Sequence, residues 1–158
     1  MSQLTIQAVK PGHKDLIGLI AKLDSYLHEL YPPDEIFGVD FEDPKTEDML
    51  FAVAYWEGAP VGCGGIRRLD ADTVELKRFF VEPNMRRKGI ALQVFRFLEK
   101  QALALGCSVM RLETGAPQIE SVSFYKKQGF YEIDRFGEYV DCESSLCMEK
   151  VIKEGLAS

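Results

Sequence analysis

The feature that most constrains this chain is the stretch from Val81 to Ala91, which joins an extended segment to a long amphipathic helix pattern. The segment before it, Thr73 to Val81, is rich in the β-branched and aromatic residues that strands favour. Pro83 and Asn84 then break the strand, and Gly89 stands where the helix begins. Three consecutive cations lie between the breakers and the glycine: Arg86, Arg87 and Lys88. The pattern predicts a strand, a basic turn and a helix in direct succession.

This arrangement suits a diphosphate. The first turn of a helix has backbone N–H groups without partners and carries a partial positive charge. Gly89 has no side chain to keep a ligand away from those groups, and the adjacent cations add full charges. The alternative interpretation of the three cations is a solvated basic turn, which is what a run of like charges usually forms.

Neither of the common nucleotide-binding motifs, GxxxxGK[ST] and GxGxxG, occurs in the chain. The pattern from Arg86 to Ala91 is Arg-x-x-Gly-x-Ala, which resembles the acetyl-coenzyme A loop of the GNAT superfamily of N-acetyltransferases, Gln/Arg-x-x-Gly-x-Gly/Ala. A second stretch resembles that superfamily's closing motif, Asn-x-x-Ala-x-x-x-Tyr-x-x-x-Gly-Phe, with Tyr125, Gly129 and Phe130 in register. Gln118 and Ser121 depart from this motif, since they replace Asn and Ala.

The resemblance implies an α/β (α+β) chain with the GNAT fold, of the kind seen in small stand-alone bacterial members. Its central sheet is expected to be mixed but mostly antiparallel, with six to seven strands and about four flanking helices. Residues 1–158 would form one N-acetyltransferase domain, in which residues 1–50 serve mainly the acceptor and residues 73–130 serve acetyl-coenzyme A. Hydrophobic periodicity independently predicts the element order β-α-α-β-β-β-α-β-α-β-β.

Several local signals refine that order. A hydrophobic stripe predicts a helix from His13 to Leu30, and a second helix runs from about Gly89 to Leu105 with Gly106 as its cap. The Cys63-Gly64-Gly65 run interrupts a strand and predicts either a bulge or a close neighbour.

The resemblance also implies the cofactor site and one catalytic residue. The residues expected to bind acetyl-coenzyme A are Phe79, Phe80, Val81, Arg86, Arg87, Lys88, Gly89, Ile90, Ala91, Gln118, Ser121 and Tyr125. Tyr125 is the candidate that protonates or stabilises the departing thiolate, although an aromatic at this spacing also fits a packing role. Its neighbour Phe124 is expected to face elsewhere and join the core. A backbone N–H near Phe80 and Val81 would stabilise the oxyanion.

The amine that attacks must first lose a proton, and a carboxylate near the site can accept it. Glu75 occupies the place of the glutamate base in the histone-acetylating members of the superfamily. Strand alternation places Glu75 on the same face as Lys77 and Phe79. The alternative is an exposed charge paired with Lys77 or Arg67, and many members of the superfamily use ordered water instead of one essential carboxylate. Glu113, at the end of the next strand, is a third and weaker candidate base.

The predicted activity is acetyl transfer from acetyl-coenzyme A to a primary amine of a small molecule or peptide, by direct attack in a ternary complex. An acidic segment, Asp34 to Asp48, hints at a cationic acceptor, but it also fits a solvated loop. The alternative function is a coenzyme A or acyl-coenzyme A sensor, or a partner-binding module, without turnover. Transfer of a longer acyl group is a lesser possibility. Oligomeric state stays open, since dimers are common in the superfamily.

Composition argues against several classes of partner, site and location. The net charge of −6 argues against nucleic acid as the main partner. The four cysteines have no CxxC spacing and only two histidines accompany them, so neither a disulfide framework nor a metal site is expected. We find no signal-peptide pattern and no apolar run long enough to cross a membrane, which predicts a cytoplasmic protein.

Overall fold

A computed structural model describes residues 3–30, 48–115 and 118–152 of the chain. These residues form seven strands: β1 (Leu4–Val9), β2 (Leu50–Trp56), β3 (Ala59–Arg68), β4 (Thr73–Val81), β5 (Val109–Gly115), β6 (Tyr131–Ile133) and β7 (Ser145–Val151). The same described ranges contain three α-helices: α1 (Lys14–Leu30), α2 (Ile90–Ala104) and α3 (Ile119–Lys127). The predicted α+β class is confirmed. The helix predicted between α1 and β2 falls on residues outside the described ranges.

The strands form one mixed sheet in the order β1-β2-β3-β4-β5-β7-β6. Every neighbouring pair is antiparallel except β4 and β5, which run parallel. The parallel pairing lasts only from Thr73↔Val109 to Leu76↔Leu112, although both strands continue beyond it. The sheet therefore opens between its two parallel strands, and this gap positions the site described below.

The helices cover both faces of the sheet. Each helix packs against the sheet because it has one apolar stripe. In α2 the buried positions Ile90, Val94, Leu98 and Ala102 recur every four residues and pack on one face. Helix α3 joins that face through Tyr125 and Phe124. The stripe of α1, which begins at Leu16, packs on the opposite face with Phe51 and Phe80. None of the helices in the described ranges is long and apolar enough to span a membrane.

The glycine run in β3 faces an irregularity in β4. The register between the two strands shifts between Cys63 and Gly65, and Arg78, which lies opposite this break, has a left-handed φ of 57°. An extra residue in one strand is a β-bulge, which reverses the inward and outward alternation beyond it. A Cβ on Gly65 would lie 2.5 Å from the ring of Phe51, so the predicted bulge and the predicted close neighbour are both present.

The bulge corrects one expectation about β4. Glu75 and Lys77 do share a face, but Phe79 lies on the other face, where it packs with the cluster that contains Val74 and Leu76. Strict alternation would have kept Phe79 beside Glu75. The prediction was wrong because alternation holds only while both strands contribute one residue per register step.

Candidate active site

A continuous cleft runs from the start of α2 through the gap in the sheet. Its outer cavity, of about 550 Å³, is bounded by β4, the turn after it, the first turn of α2 and α3. Its inner cavity, of about 100 Å³, lies where β4 and β5 separate. The two cavities share five lining residues: Leu23, Phe79, Gln118, Ser121 and Tyr125. A ligand in the outer cavity can therefore reach into the inner one.

The N-terminus of α2 opens onto the outer cavity. Gly89 is its N-cap, with φ 78° and ψ 7°, and no side chain caps the first turn. The amides of Met85 and Arg86 bond within the preceding turn, to Glu82 and Pro83, and the amide of Gln93 bonds to Gly89. The helix thus presents first-turn N–H groups that no side chain occupies, which is the arrangement that binds anions.

Two of the predicted cations add charge to this end of the cleft. Arg86 and Arg87 both line the outer cavity, together with Gly89, Ile90 and Ala91. The Nε of Arg86 donates to the carbonyl oxygen of Val81 at 3.3 Å, which holds its guanidinium close to the turn. Lys88 lines neither cavity, because its ammonium lies over the ring of Trp56 at 5.3 Å from the centroid.

The wall made by β4 provides an open strand edge. Phe79, Phe80 and Val81 all line the outer cavity. Beyond Leu76 this side of β4 has no strand partner in the part of the chain that the structure describes. Extended ligands bind to such edges by adding a strand-like set of backbone hydrogen bonds.

Tyr125 lies where the two cavities meet. It is only 7% exposed and packs against the rings of Phe79, Phe124 and Phe130. Among the described residues its hydroxyl has no hydrogen-bond partner. Burial, together with the nearby carboxylate of Glu113, raises the pKa of Tyr125 above its ordinary value. The phenol is therefore protonated at neutral pH and can donate a hydrogen bond into the cleft.

Gln118 and Ser121, the two departures from the family motif, both line the shared part of the cleft. The Oγ1 of Thr114 donates to the side-chain oxygen of Gln118 at 3.0 Å. This bond orients the amide of Gln118 at the start of α3.

Glu75 is set behind the cleft and lines neither cavity. It is 1% exposed and accepts hydrogen bonds from Arg67 at 2.7 Å and from the hydroxyl of Tyr139 at 2.5 Å. Lys77 lies 3.9 Å away and donates to the same Tyr139 hydroxyl at 3.2 Å. The expected pairing with Lys77 or Arg67 is present, but on a buried strand face and not an exposed one. Several partners offset the cost of burying this carboxylate.

Among the described residues, Glu113 is the carboxylate that lines the inner cavity. Its Oε2 accepts a hydrogen bond from the hydroxyl of Ser145 at 2.7 Å. Burial raises the pKa of Glu113, and the bond from Ser145 only partly opposes that effect. A carboxylate whose pKa moves toward neutrality is a better proton acceptor in a buried site than an ordinary one.

Sequence reasoning missed several lining residues. Phe124 packs against the core as expected, but it also lines the outer cavity and stacks on Phe79 with centroids 5.7 Å apart, so the expectation that it faces elsewhere was wrong. Arg78 enters the inner cavity because of the β-bulge. Tyr139 arrives from the connection between β6 and β7. The glycine run in β3 was the one sequence signal of that bulge, and no local pattern marks Tyr139.

Comparison with known proteins agrees with this geometry. The family model described as the Acetyltransferase (GNAT) family matches residues 19–130. A protein named IAA acetyltransferase, from Azospirillum brasilense, is 36% identical over 151 residues, which cover 95% of this chain and 99% of that protein.

Solved structures of acyltransferases have the same fold as this chain. A candidate acyl-CoA N-acyltransferase from Klebsiella pneumoniae has a TM-score of 0.80 at 26% identity, covering 95% of this chain and 98% of that one. A GNAT family acetyltransferase from Elizabethkingia anophelis, solved with acetyl-CoA bound, has a TM-score of 0.69 at 16% identity over 96% of this chain and all of that one. The family match covers most of the chain, and the fold agrees with it. This chain therefore belongs to the GNAT family of acetyltransferases.

Proposed function

We propose that this protein is an acetyl-CoA-dependent N-acetyltransferase that transfers the acetyl group to a primary amine of a small molecule or peptide within a ternary complex. The observation that carries the proposal is the single cleft that joins the uncapped N-terminus of α2 to the inner cavity, with Tyr125 at the junction. The relative from Elizabethkingia anophelis that was solved with acetyl-CoA supports the choice of co-substrate.

The described residues support a path for acetyl-CoA along the cleft. The diphosphate would lie against the amides of Gly89 to Ala91, beside the guanidinium groups of Arg86 and Arg87. The pantetheine arm would pair with the open edge of β4 and pass α3 between Gln118 and Tyr125. This path brings the thioester to the gap in the sheet. Lys88 would contribute charge at a distance, since its ammonium lies over Trp56.

The amine must be neutral when it attacks the thioester, yet an ordinary alkylamine has a pKa of about 10.4. Glu113 lines the inner cavity and is the carboxylate that can accept the proton directly or through one water. Glu75, the candidate from the sequence, does not line the cavity, but it contacts two residues that do: the hydroxyl of Tyr139 donates to it, and the ammonium of Lys77 lies 3.9 Å away. A proton could pass to Glu75 through the Tyr139 hydroxyl.

Two further groups would act on the thioester. A backbone N–H of β4 near Phe80 and Val81 would stabilise the oxyanion that forms when the amine attacks. The Tyr125 hydroxyl would then donate its proton, or a hydrogen bond, to the departing sulfur. Attack, collapse of the tetrahedral species and thiol release would all take place with both substrates bound.

Initial-rate measurements of thiol release test this proposal. The protein is supplied with acetyl-CoA and a broad panel of primary amines, and both concentrations are varied. A ternary complex gives double-reciprocal lines that intersect, whereas a covalent acetyl-enzyme gives parallel lines. Parallel lines would contradict direct attack. Tight binding of acetyl-CoA without any thiol release would instead favour the sensor function.

Matched variants separate the two candidate bases. If Glu113 accepts the proton, Glu113→Gln lowers kcat by about 10²-fold or more, in line with the usual contribution of a general base. Tyr139→Phe breaks the connection between the cavity and Glu75 while keeping the ring. A large loss of kcat in Tyr139→Phe and Glu75→Gln, with activity retained in Glu113→Gln, would assign the role to Glu75.

A further inference from the structure

Arg78, which lines the inner cavity, has an unusual backbone conformation. Its left-handed φ of 57° is uncommon for a residue with a side chain. The bulge at this position re-aims the residue, so that it lines the inner cavity beside Lys77 and Phe79. Arg78 is 8% exposed, so a full positive charge is buried at the place where the acceptor would sit.

The guanidinium of Arg78 is only partly satisfied. One terminal nitrogen, Nη2, pairs with the carboxylate of Asp24 on α1. The Nε is buried and has no hydrogen-bond partner among the described residues. A guanidinium has five N–H donors, and a buried donor without a partner costs free energy. Arg78, which lines the inner cavity, therefore has donor capacity that no described residue uses, and a guanidinium is the side chain best suited to bind a carboxylate.

Other residues that line the inner cavity add further charged and apolar groups beside Arg78. The ammonium of Lys77, whose side chain is 4% exposed, adds a second buried cation to the wall. Glu113 provides an anionic group that attracts an ammonium. Leu23 and Leu27 make part of the wall apolar. One cavity thus combines cationic groups for an anion with a carboxylate suited to an amine.

We propose that the acceptor is an amine that also bears a carboxylate, as an amino acid does, and that Arg78 binds this carboxylate while Glu113 faces the amine. This inference rests on the proposed function, because it assigns the inner cavity to the acceptor. The acidic segment from Asp34 to Asp48 suggested a cationic acceptor, and all of it except Asp48 lies outside the described residues.

Binding can be measured without turnover when coenzyme A replaces acetyl-CoA. The full chain saturated with coenzyme A is titrated by calorimetry with the twenty protein amino acids and β-alanine, each beside its carboxamide. The carboxamide keeps the amine and removes the negative charge. We expect at least one amino acid to bind about 10-fold or more tightly than its carboxamide, since hydrogen bonds to charged groups are stronger than those between neutral groups.

Two variants test the assignment to Arg78. Arg78→Gln should remove the preference for the carboxylate over the carboxamide and leave the affinity for coenzyme A unchanged. Asp24→Asn, which retains Arg78, is the second variant in case Arg78→Gln fails to fold. It removes the negative charge that pairs with the guanidinium and should preserve or increase the affinity for the amino acid.

The proposal is overturned if no amino acid of the panel binds the coenzyme A complex, or if carboxamides bind equally well. It is also overturned if folded Arg78→Gln keeps the preference, or if Asp24→Asn weakens amino acid binding while coenzyme A still binds. Failure of the proposed function looks different. In that case the amino acid binds with its carboxylate preference, but acetyl-CoA and the same amino acid release no thiol.

Discussion

Tyr125 is buried in protein on most sides, yet it lines both cavities. Its ring packs among three other aromatic rings, which fixes the direction of the phenol. The aromatic packing expected of such a residue and the predicted catalytic role are therefore compatible. A change that keeps the ring and removes only the hydroxyl separates them.

We predict that Tyr125→Phe lowers kcat by about 10²-fold, because the departing thiolate loses its proton donor. The affinity for acetyl-CoA should change little, since the ring contacts remain. Steady-state kinetics and a separate binding titration measure the two effects. A variant with normal kcat would assign Tyr125 to packing alone.

Glu113 gives a prediction about pH and stability. Burial raises its pKa in the folded state, so the folded protein holds this proton at pH values where the unfolded chain has lost it. The stability that the protonated Glu113 carboxyl gives to the folded protein is fully present below the pKa of Glu113 in the unfolded chain. It is lost as pH rises through the pKa of Glu113 in the folded protein. Glu113→Gln stays neutral, so its melting temperature should exceed that of the wild type increasingly as pH rises through that window.

Ser145→Ala provides the matched control. The hydroxyl of Ser145 donates to Glu113 and lowers its pKa, opposing the effect of burial. Its removal should make the loss of stability at higher pH larger than in the wild type. Thermal melts of the three proteins between about pH 4 and 9 would measure how the melting temperature of each depends on pH. Parallel curves for wild type and Glu113→Gln would contradict the prediction.

At the scale of elements, the pairing of β3 with β4 depends on glycines that admit neighbouring side chains. A Cβ at Gly65 would meet the buried ring of Phe51 at 2.5 Å, and a Cβ at Gly64 would meet Leu98 at 2.8 Å. The sheet can hold its bulge here because both residues lack a side chain. The bulge in turn directs Arg78 into the cleft, so local packing and the site are connected.

We predict that Gly65→Ala destabilises the protein by about 1–3 kcal/mol, the usual cost of forcing extra volume into a packed core. Gly18→Ala is the control, because Gly18 is exposed in α1 and a Cβ there meets nothing within 4 Å. Replacing a helical glycine by alanine should stabilise by about 0.5–1 kcal/mol. Urea denaturation measures both changes, and a neutral Gly65→Ala would show that Phe51 can move aside.

At the scale of the whole molecule, the cleft is assembled from both faces of the sheet. Leu23 comes from α1, Phe79 from β4, and Tyr125 from α3. A ligand that spans these elements binds only the folded chain. Its binding free energy therefore adds to the stability of the native state.

We predict that acetyl-CoA at 100 times its Kd stabilises the fold by about 2.7 kcal/mol. For a chain of this size that corresponds to a rise in melting temperature of roughly 5–10 °C. Arg87→Gln should reduce the rise, because Arg87 lines the outer cavity. Lys88→Gln should reduce it less, because Lys88 lies over Trp56. Equal losses in the two variants would argue against the path proposed for the diphosphate.

Some features of this protein follow from sequence alone because they depend on neighbouring residues. The strand, basic turn and helix around Gly89 are predicted by strand-breaking residues, a run of cations and apolar residues that recur about every four positions. The structure has these elements at the predicted place. The register of Tyr125 with Gly129 and Phe130 places a tyrosine on α3. Local steric and hydrogen-bonding preferences act over a few residues, and these are what a sequence displays directly.

The composition of the cleft was decided by tertiary structure. The bulge moved Phe79 away from the face of Glu75 and turned Arg78 into the inner cavity. Tyr139 meets Glu75 across 64 positions of sequence, and together with Arg67 it encloses that carboxylate behind the cleft. The direction of a side chain past a bulge depends on the register of the partner strand, and burial depends on distant segments. A local sequence pattern therefore shows neither the direction of a side chain beyond a bulge nor its burial by distant segments.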